Sequence, residues 1–360
     1  MEKDHSSLEP VRVGITLGDI NGIGPEIVLK SLRDNRMHSD LTPVIFGSSK
    51  VISFYKKQLN IHEFNYQTCK HAGEIHSKKV NLVTVWNEEV AIEPGNSNET
   101  GGKYALKSLE AATKALADGQ IDVLVTAPFS KENVIKAGFE FPGHTEYLAK
   151  YSNVDDALMI LVSHNLRVAL VTTHIPVSEI SKSLTKKGIY DKIKAFESSL
   201  KKDFGIVRPK IALLGLNPHA GENGKIGTEE QEVIIPAIQQ AKGENILAFG
   251  PYAADGLFGS DVKNEFDGIL AMYHDQGLAG FKALAFDEGV NFTAGLPIVR
   301  TSPDHGTAFD IAGKNKASET SFRAAIYLAI DTFRTRKFVR SIQENPLIAK
   351  KQNHHDERDE

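Results

Sequence analysis

Val11-Arg-Val-Gly-Ile-Thr-Leu17 runs straight into Gly18-Asp-Ile-Asn-Gly-Ile-Gly-Pro-Glu26, after which Ile27, Val28 and Leu32 share one apolar helical face. The first run is short and β-rich. Pro25 suits the first turn of a helix, where its missing N–H leaves nothing unpaired. Strand, glycine-rich loop and helix in that order form the βα unit of an α/β protein. Lys30 and Arg33 mark the side of this helix expected to face solvent. The loop lacks the third glycine of the dinucleotide fingerprint, and no P-loop Lys-Ser/Thr follows it. It reads either as a tight structural turn or as an anion site built from backbone N–H groups at a helix start.

The same grammar continues without any sequence repeat. Pro43–Gly47, Ile121–Ala127, Arg167–Thr173, Lys210–Leu216 and Asp267–Tyr273 read as strands, several apolar along nearly their whole length, as in buried parallel sheets. Helices are expected over Gly102–Asp118, stopped by Gly119, over Lys187–Phe204, over Gln231–Lys242 despite Pro236, and from a Ser318 N-cap to about Arg334. Glu93–Gly102 reads as a surface loop. The tail after residue 345 is too polar to pack and is expected to be disordered.

Composition narrows the function. The 360 residues carry 42 basic and 46 acidic side chains, net −4, which argues against a general nucleic-acid binder. The N-terminal ten residues contain no apolar signal core, and no uncharged run approaches the roughly 18 residues of a membrane span. One cysteine, Cys69, makes no internal disulfide and suits a reducing cytoplasm, the expected location.

Three of the expected strands lead into a histidine: His174, His219 and His274. Ligands of open α/β sheets sit at the carboxyl ends of the strands, so three imidazoles arriving there can meet. Nitrogen ligands with an open fourth position suit a catalytic Zn²⁺-like ion better than Mg²⁺. A second set surrounds them: His144 and Thr145 in Phe141-Pro-Gly-His-Thr-Glu146, and Lys282, Asn291 and Arg300 in an apolar, glycine-rich stretch. A Lys and an Arg in such surroundings suit anions. Asp255 is a further polar candidate, equally suited to a turn or helix cap.

Taken together and in order, Gly18-Asp-x-Asn-Gly-Ile-Gly-Pro-Glu26, Pro142-Gly-His-Thr-Glu146, Thr172-Thr-His174, Asn217-Pro-His-Ala-Gly-Glu222, Met272-Tyr-His-Asp-Gln-Gly277 and Asp304-His-Gly-Thr-Ala308 resemble the 4-hydroxythreonine-4-phosphate dehydrogenases of the vitamin B6 route, over about Val11 to Phe338. The resemblance implies the two-lobed α/β fold of the isocitrate and isopropylmalate dehydrogenases, with the active site in the cleft between the lobes. One lobe would comprise residues 11–140 with 276–345, and the other residues 141–275. It implies that His174, His219 and His274 hold a divalent ion, Zn²⁺ ahead of Co²⁺ or Mg²⁺, in a site completed across a homodimer interface. His144, Thr145, Lys282, Asn291 and Arg300 match substrate-binding positions, with a second role in proton transfer for Lys282. Asp304, His305, Gly306 and Thr307 lie in a loop similar to the nucleotide-binding loop of those enzymes and are expected to bind NAD or NADP. The implied reaction oxidises 4-phosphooxy-L-threonine. A sister dehydrogenase acting on 4-phospho-threonate or 4-phospho-erythronate would share every one of these motifs. A metal-dependent phosphatase or aldolase, or a non-catalytic metabolite-binding protein, stands further off.

Overall fold

The computed structural model describes residues 9–154 and 157–344, so the polar tail lies outside the described residues. The strands in chain order are β1 (Val11–Thr16), β2 (Leu41–Gly47), β3 (Gln67–Cys69), β4 (Asn81–Thr84), β5 (Val123–Val125), β6 (Leu158–Ser163), β7 (Leu166–Leu170), β8 (Lys210–Leu214), β9 (Leu247–Tyr252), β10 (Gly268–Ala271), β11 (Val290–Ala294) and β12 (Arg300–Pro303). The helices are α1 (Gly24–Leu32), α2 (Ser49–Gln58), α3 (Glu99–Ala117), α4 (Lys131–Lys136), α5 (His144–Tyr151), α6 (Ile180–Ser183), α7 (Lys186–Lys202), α8 (Ile235–Gly243), α9 (Ala254–Gly259), α10 (His274–Ala285) and α11 (Thr320–Glu344). None of the described helices is long and apolar enough to cross a membrane.

All twelve strands join one sheet in the order β3-β4-β2-β1-β5-β12-β11-β6-β7-β10-β8-β9. Each flank is parallel within itself, as the continuous apolar runs require, and the three central pairs β12/β11, β11/β6 and β6/β7 are antiparallel, so the second flank runs opposite to the first. Strands β11 and β12, late in the chain, thus lie between β5 and β6 and stitch the flanks together. The expected βα units are all present. The surprises are short or late: β3, β4, β6, β9, β11 and β12 carry too few residues, or too little alternation, to be singled out by period.

The opening βα unit forms the centre of the first flank, with β1 paired to β2 and β5. Every residue of α1 is buried, including Lys30, so the expectation that Lys30 faces solvent is corrected. The reason is a covering segment. Glu26 Oε1 accepts hydrogen bonds from Lys30 Nζ at 2.8 Å and from the Ala317 backbone N–H at 3.0 Å, while Lys30 also donates to the Ala317 carbonyl at 2.8 Å. An ion pair with both ends hydrogen-bonded is tolerated in the interior.

The loop before α1 is a structural turn. Asp19 and Asn21 are fully buried. The Ile23 N–H donates to the Thr307 carbonyl at 3.0 Å, so this donor at the helix start is used by another loop of the chain. Two glycines are fixed by space. Gly18 adopts φ +64°, and a Cβ there would lie 2.2 Å from the Pro128 carbonyl oxygen; at Gly24 it would lie 2.1 Å from that of Leu17.

Two helix ends differ from expectation. The helix read over Gln231–Lys242 starts with a π-helical turn over Glu230–Ile234 and becomes α-helical at Ile235, which places Pro236 near an N-terminus, where it lacks no needed donor. Helix α11 continues ten residues past Arg334. Arg336 holds its far end by donating to Asp203 at 2.6 Å and to the carbonyls of Pro297 and Ile298. Glu93–Gly102 is shorter as a loop than expected, because Asn98 caps α3 by accepting from the Gly101 N–H.

Gly24→Ala forces its methyl against backbone rather than a movable side chain, so we expect a loss of about 1–3 kcal/mol. Urea denaturation checks this through a lowered midpoint with an unchanged slope.

Candidate active site

A cavity of about 410 Å³ opens at the carboxyl ends of β5, β7 and β10, where the sheet rule places ligands. It brings together most of the residues singled out from sequence. His144, Thr145, His174, His274, Lys282, Asn291 and Arg300 all line it, as do Asp304, His305 and Gly306. Thr307 does not; its carbonyl faces α1. Asp255, at the start of α9, also lies outside the lining.

Arg300 opens β12, is 3% exposed, and pairs in register with Leu124 of β5. Its Nε and Nη2 donate to Thr126 Oγ1 at 3.1 and 2.7 Å, and its Nη1 donates to Thr293 Oγ1 at 3.1 Å. A guanidinium has five N–H donors. Three are therefore spent on neutral hydroxyls, leaving two at the cavity wall, where the Glu146 charge reaches the guanidinium without forming an ion pair. Burial pulls its pKa down to about 10, so it stays charged at neutral pH.

His144 is the first residue of α5 and stacks on Phe129, with ring centroids 3.8 Å apart. The residue is half-buried, and burial of the ring, with Arg300 and Lys131 nearby, holds its pKa well below the usual imidazole range. Lys282 of α10 donates to the Asp304 carbonyl at 3.3 Å and lies 3.6 Å from the Asp304 carboxylate. Burial raises that carboxyl group's pKa, against the pull of Lys282. His305 contacts the Gly306 carbonyl through Nδ1 at 3.1 Å, and its buried Nε2 has no partner. Burial lowers its pKa. On β11, Asn291 likewise has an unpartnered buried Oδ1.

The three strand-end histidines divide. β7, β10 and β8 are neighbours in the sheet, so their carboxyl ends lie side by side. His174 and His274 face each other with ring centroids 5.8 Å apart. Burial lowers the His174 pKa, which favours the neutral, metal-ligating form. His219 is exposed in a loop whose residues 219–223 all have positive φ, and it does not line the cavity. Among the described residues, no three His, Cys, Asp or Glu side chains gather closely enough to hold a metal ion.

The chain matches the family described as pyridoxal phosphate biosynthetic protein PdxA over residues 39–329. This chain belongs to the PdxA family. It is 51% identical over 338 residues to a 4-hydroxythreonine-4-phosphate dehydrogenase from Bacteroides thetaiotaomicron, a match covering 94% of this chain and 93% of the relative. It is 39% identical over 329 residues to an Oceanobacillus iheyensis protein provisionally named D-threonate 4-phosphate dehydrogenase, covering 90% and 98% of the two chains. The crystal structure of 4-hydroxythreonine-4-phosphate dehydrogenase from Klebsiella pneumoniae superposes with a TM-score of 0.79 at 33% identity, covering 91% of this chain and 99% of that one.

Several lining groups of this PdxA-family cavity were not singled out from sequence. Lys131 follows the N-cap Ser130 of α4 and reads as an ordinary solvated charge at a helix start. Its only sequence signal is its position just past the carboxyl end of β5. Thr126 has no signal at all, since its use is set by an arginine 174 residues away.

The state of His144 makes stability pH-dependent. In the unfolded chain it gains a proton below its ordinary pKa of 6.5, while in the fold it stays neutral to a much lower pH. The unfolded state then binds more protons, so stability falls as pH drops below 6.5, by at most about 1.4 kcal/mol per pH unit from this residue. In His144→Gln, urea denaturation at pH 7.5, 6.5 and 5.5 should give a shallower decline than in the wild type. An equal decline would mean that His144 is protonated in the fold.

Proposed function

We propose that the protein oxidises 4-phosphooxy-L-threonine at its C3 hydroxyl with NAD⁺ or NADP⁺, giving 2-amino-3-oxo-4-phosphooxybutanoate, which decarboxylates to 3-amino-2-oxopropyl phosphate. The observation that carries this reading is the cavity itself. It presents a buried arginine with unspent donors to an anion, beside the facing rings of His174 and His274 and the Asp304–Gly306 loop. The names of the family and of its relatives point to the same chemistry. In this reading the cavity is the cleft between a lobe of residues 11–140 with 276–345 and a lobe of residues 141–275, in a cytoplasmic homodimer.

His174, His219 and His274 are the positions proposed to hold a divalent ion, Zn²⁺ by preference. Two imidazoles on one tetrahedral ion at about 2.1 Å have ring centroids roughly 5 Å apart, close to the 5.8 Å between His174 and His274. His219 stands outside the cavity of a single chain, and the set is proposed to be completed across the homodimer interface. Such an ion would supply Lewis acidity that favours ionisation of the substrate hydroxyl. Asp304, His305, Gly306 and Thr307 are the positions proposed for the nicotinamide cofactor, which would take the hydride.

The chain's own groups do the rest in this reading. Arg300, with Thr145 and His144, anchors an anionic end of the substrate, and fixing a non-reacting end lowers the entropic cost of aligning the reacting carbon. A neutral His144 can donate or accept a hydrogen bond without adding charge. Asn291 offers its unpaired oxygen to a donor on the substrate. Lys282, paired loosely with Asp304, is placed to pass the hydroxyl proton toward that carboxyl group.

The Oceanobacillus relative favours a second reading, oxidation of a phospho-threonate. The test is NAD(P)H absorbance with metal-loaded and metal-stripped protein and each substrate. We expect metal-dependent turnover of 4-phosphooxy-L-threonine, reduced in His174→Ala by more than about 100-fold, beyond the loss typical of outer-shell changes. Turnover of phospho-threonate alone would select the second reading, and silence with both would refute the two together.

A further inference from the structure

We infer that Lys131 is a further substrate-binding residue, a cation that together with Arg300 receives the phosphate group at the His144 end of the cavity. The cavity has three cationic side chains. Lys282 stands 3.6 Å from Asp304, at the far end beside His305. Arg300, bonded to Thr126, and Lys131, whose side chain passes Gly143, line the cavity on the wall where His144 stacks on Phe129. Among the described residues, neither Arg300 nor Lys131 has a carboxylate within ion-pair distance. Glu146 also lines the cavity, and its charge reaches Arg300 from beyond ion-pair distance, so two cations face one carboxylate at this end; the excess positive charge draws the more highly charged phosphate ahead of a carboxylate.

Lys131 is also placed rigidly at its base. Its helix, α4, is anchored by Asn133, which is buried and donates to Asp19 Oδ2 at 3.1 Å and to Ser97 Oγ at 3.0 Å. From that base the side chain passes over Gly143, the residue before α5: a Cβ on Gly143 would lie 3.9 Å from Lys131 Cε. The stem is thus laid past Gly143 and the side chain borders the cavity, while the residue itself is exposed. An exposed lysine without an ion pair contributes little to folding, so its place over the cavity is what it offers.

The inference rests on the proposed reading only for which phosphorylated molecule is bound, and inorganic phosphate tests it independently. Line broadening in ³¹P NMR, titrated against the full-length protein, should give binding that weakens about tenfold or more in Lys131→Gln, the scale of one charge-assisted hydrogen bond. Lys131→Arg should restore most of it. L-Threonine, which has the carboxylate but no phosphate, should bind Lys131→Gln and wild type alike. With 4-phosphooxy-L-threonine, KM should rise while kcat stays within about threefold, the pattern of lost ground-state binding. Unchanged phosphate binding in Lys131→Gln, loss of L-threonine binding instead, or no phosphate binding by the wild type would each overturn the inference. Phosphate binding through Lys131 without turnover of either phosphorylated substrate would overturn the proposed reaction and leave the inference standing.

Discussion

The fully buried pair Asp19 and Asn21, at the carboxyl end of β1, is the constraint on which the cavity depends. Asp19 accepts from the Asn21 N–H at 2.9 Å and from Asn133 of α4. Asn21 accepts from the Glu93 N–H through Oδ1, accepts from the Gly95 N–H through its carbonyl, and donates to Asn98, the cap of α3. Two segments distant in sequence, residues 93–98 and α4, are thereby held to one turn. Burial raises the Asp19 pKa, while the two donors favour its charged form. Buried polar networks of this kind fix geometry when every member is satisfied. There is no room to relax it, because a Cβ at Gly101 would lie 2.1 Å from Asp19 Oδ1.

That turn also explains how a glycine-rich loop serves a ligand site without touching a ligand. Its helix-start N–H at Ile23 is taken by Thr307, and Glu26 and Lys30 hold Ala317 ten residues later. Both ends of the 307–317 segment are therefore tied to α1. Gln58 adds a hydrogen bond to the Gly313 carbonyl. The part left facing the cavity is Asp304 to Gly306, which is the part with an unpaired ring nitrogen.

Much of this was legible in the sequence, and the division follows physical range. Local signals held: the βα unit at residues 11–32, Gly119 as the stop of α3, and histidines following β7, β8 and β10. The carboxyl-end rule pointed to His174 and His274, and the same cavity also holds eight residues singled out from their surroundings and the family resemblance. What escaped depends on partners far along the chain. Lys30 looks solvent-facing because its neighbours say so, yet residue 317 covers it. Arg300 looks like an anion receptor, but that it is solvated by Thr126 and Thr293 follows only from β12 lying between β5 and β11. The position of His219 is set by a run of left-handed residues that no spacing announces.

The electrostatics of the cavity follow from these placements. A buried guanidinium without a carboxylate loses hydration worth several kcal/mol, and neutral hydroxyls restore only part of it. Such an arrangement is less stable than a buried ion pair, so its persistence points to a partner that arrives from outside. A carboxylate in ion-pair contact with Arg300 would stabilise the empty fold and would also repel an anionic substrate; Glu146, whose charge reaches Arg300, stands outside that contact. Holding His144 neutral against Phe129 avoids adding a further charge next to Arg300. On the opposite side, Asp304 moderates Lys282, so attraction is strongest at the Arg300 end. The cavity is thus polarised along its length, and an asymmetric anion entering it has one favoured orientation.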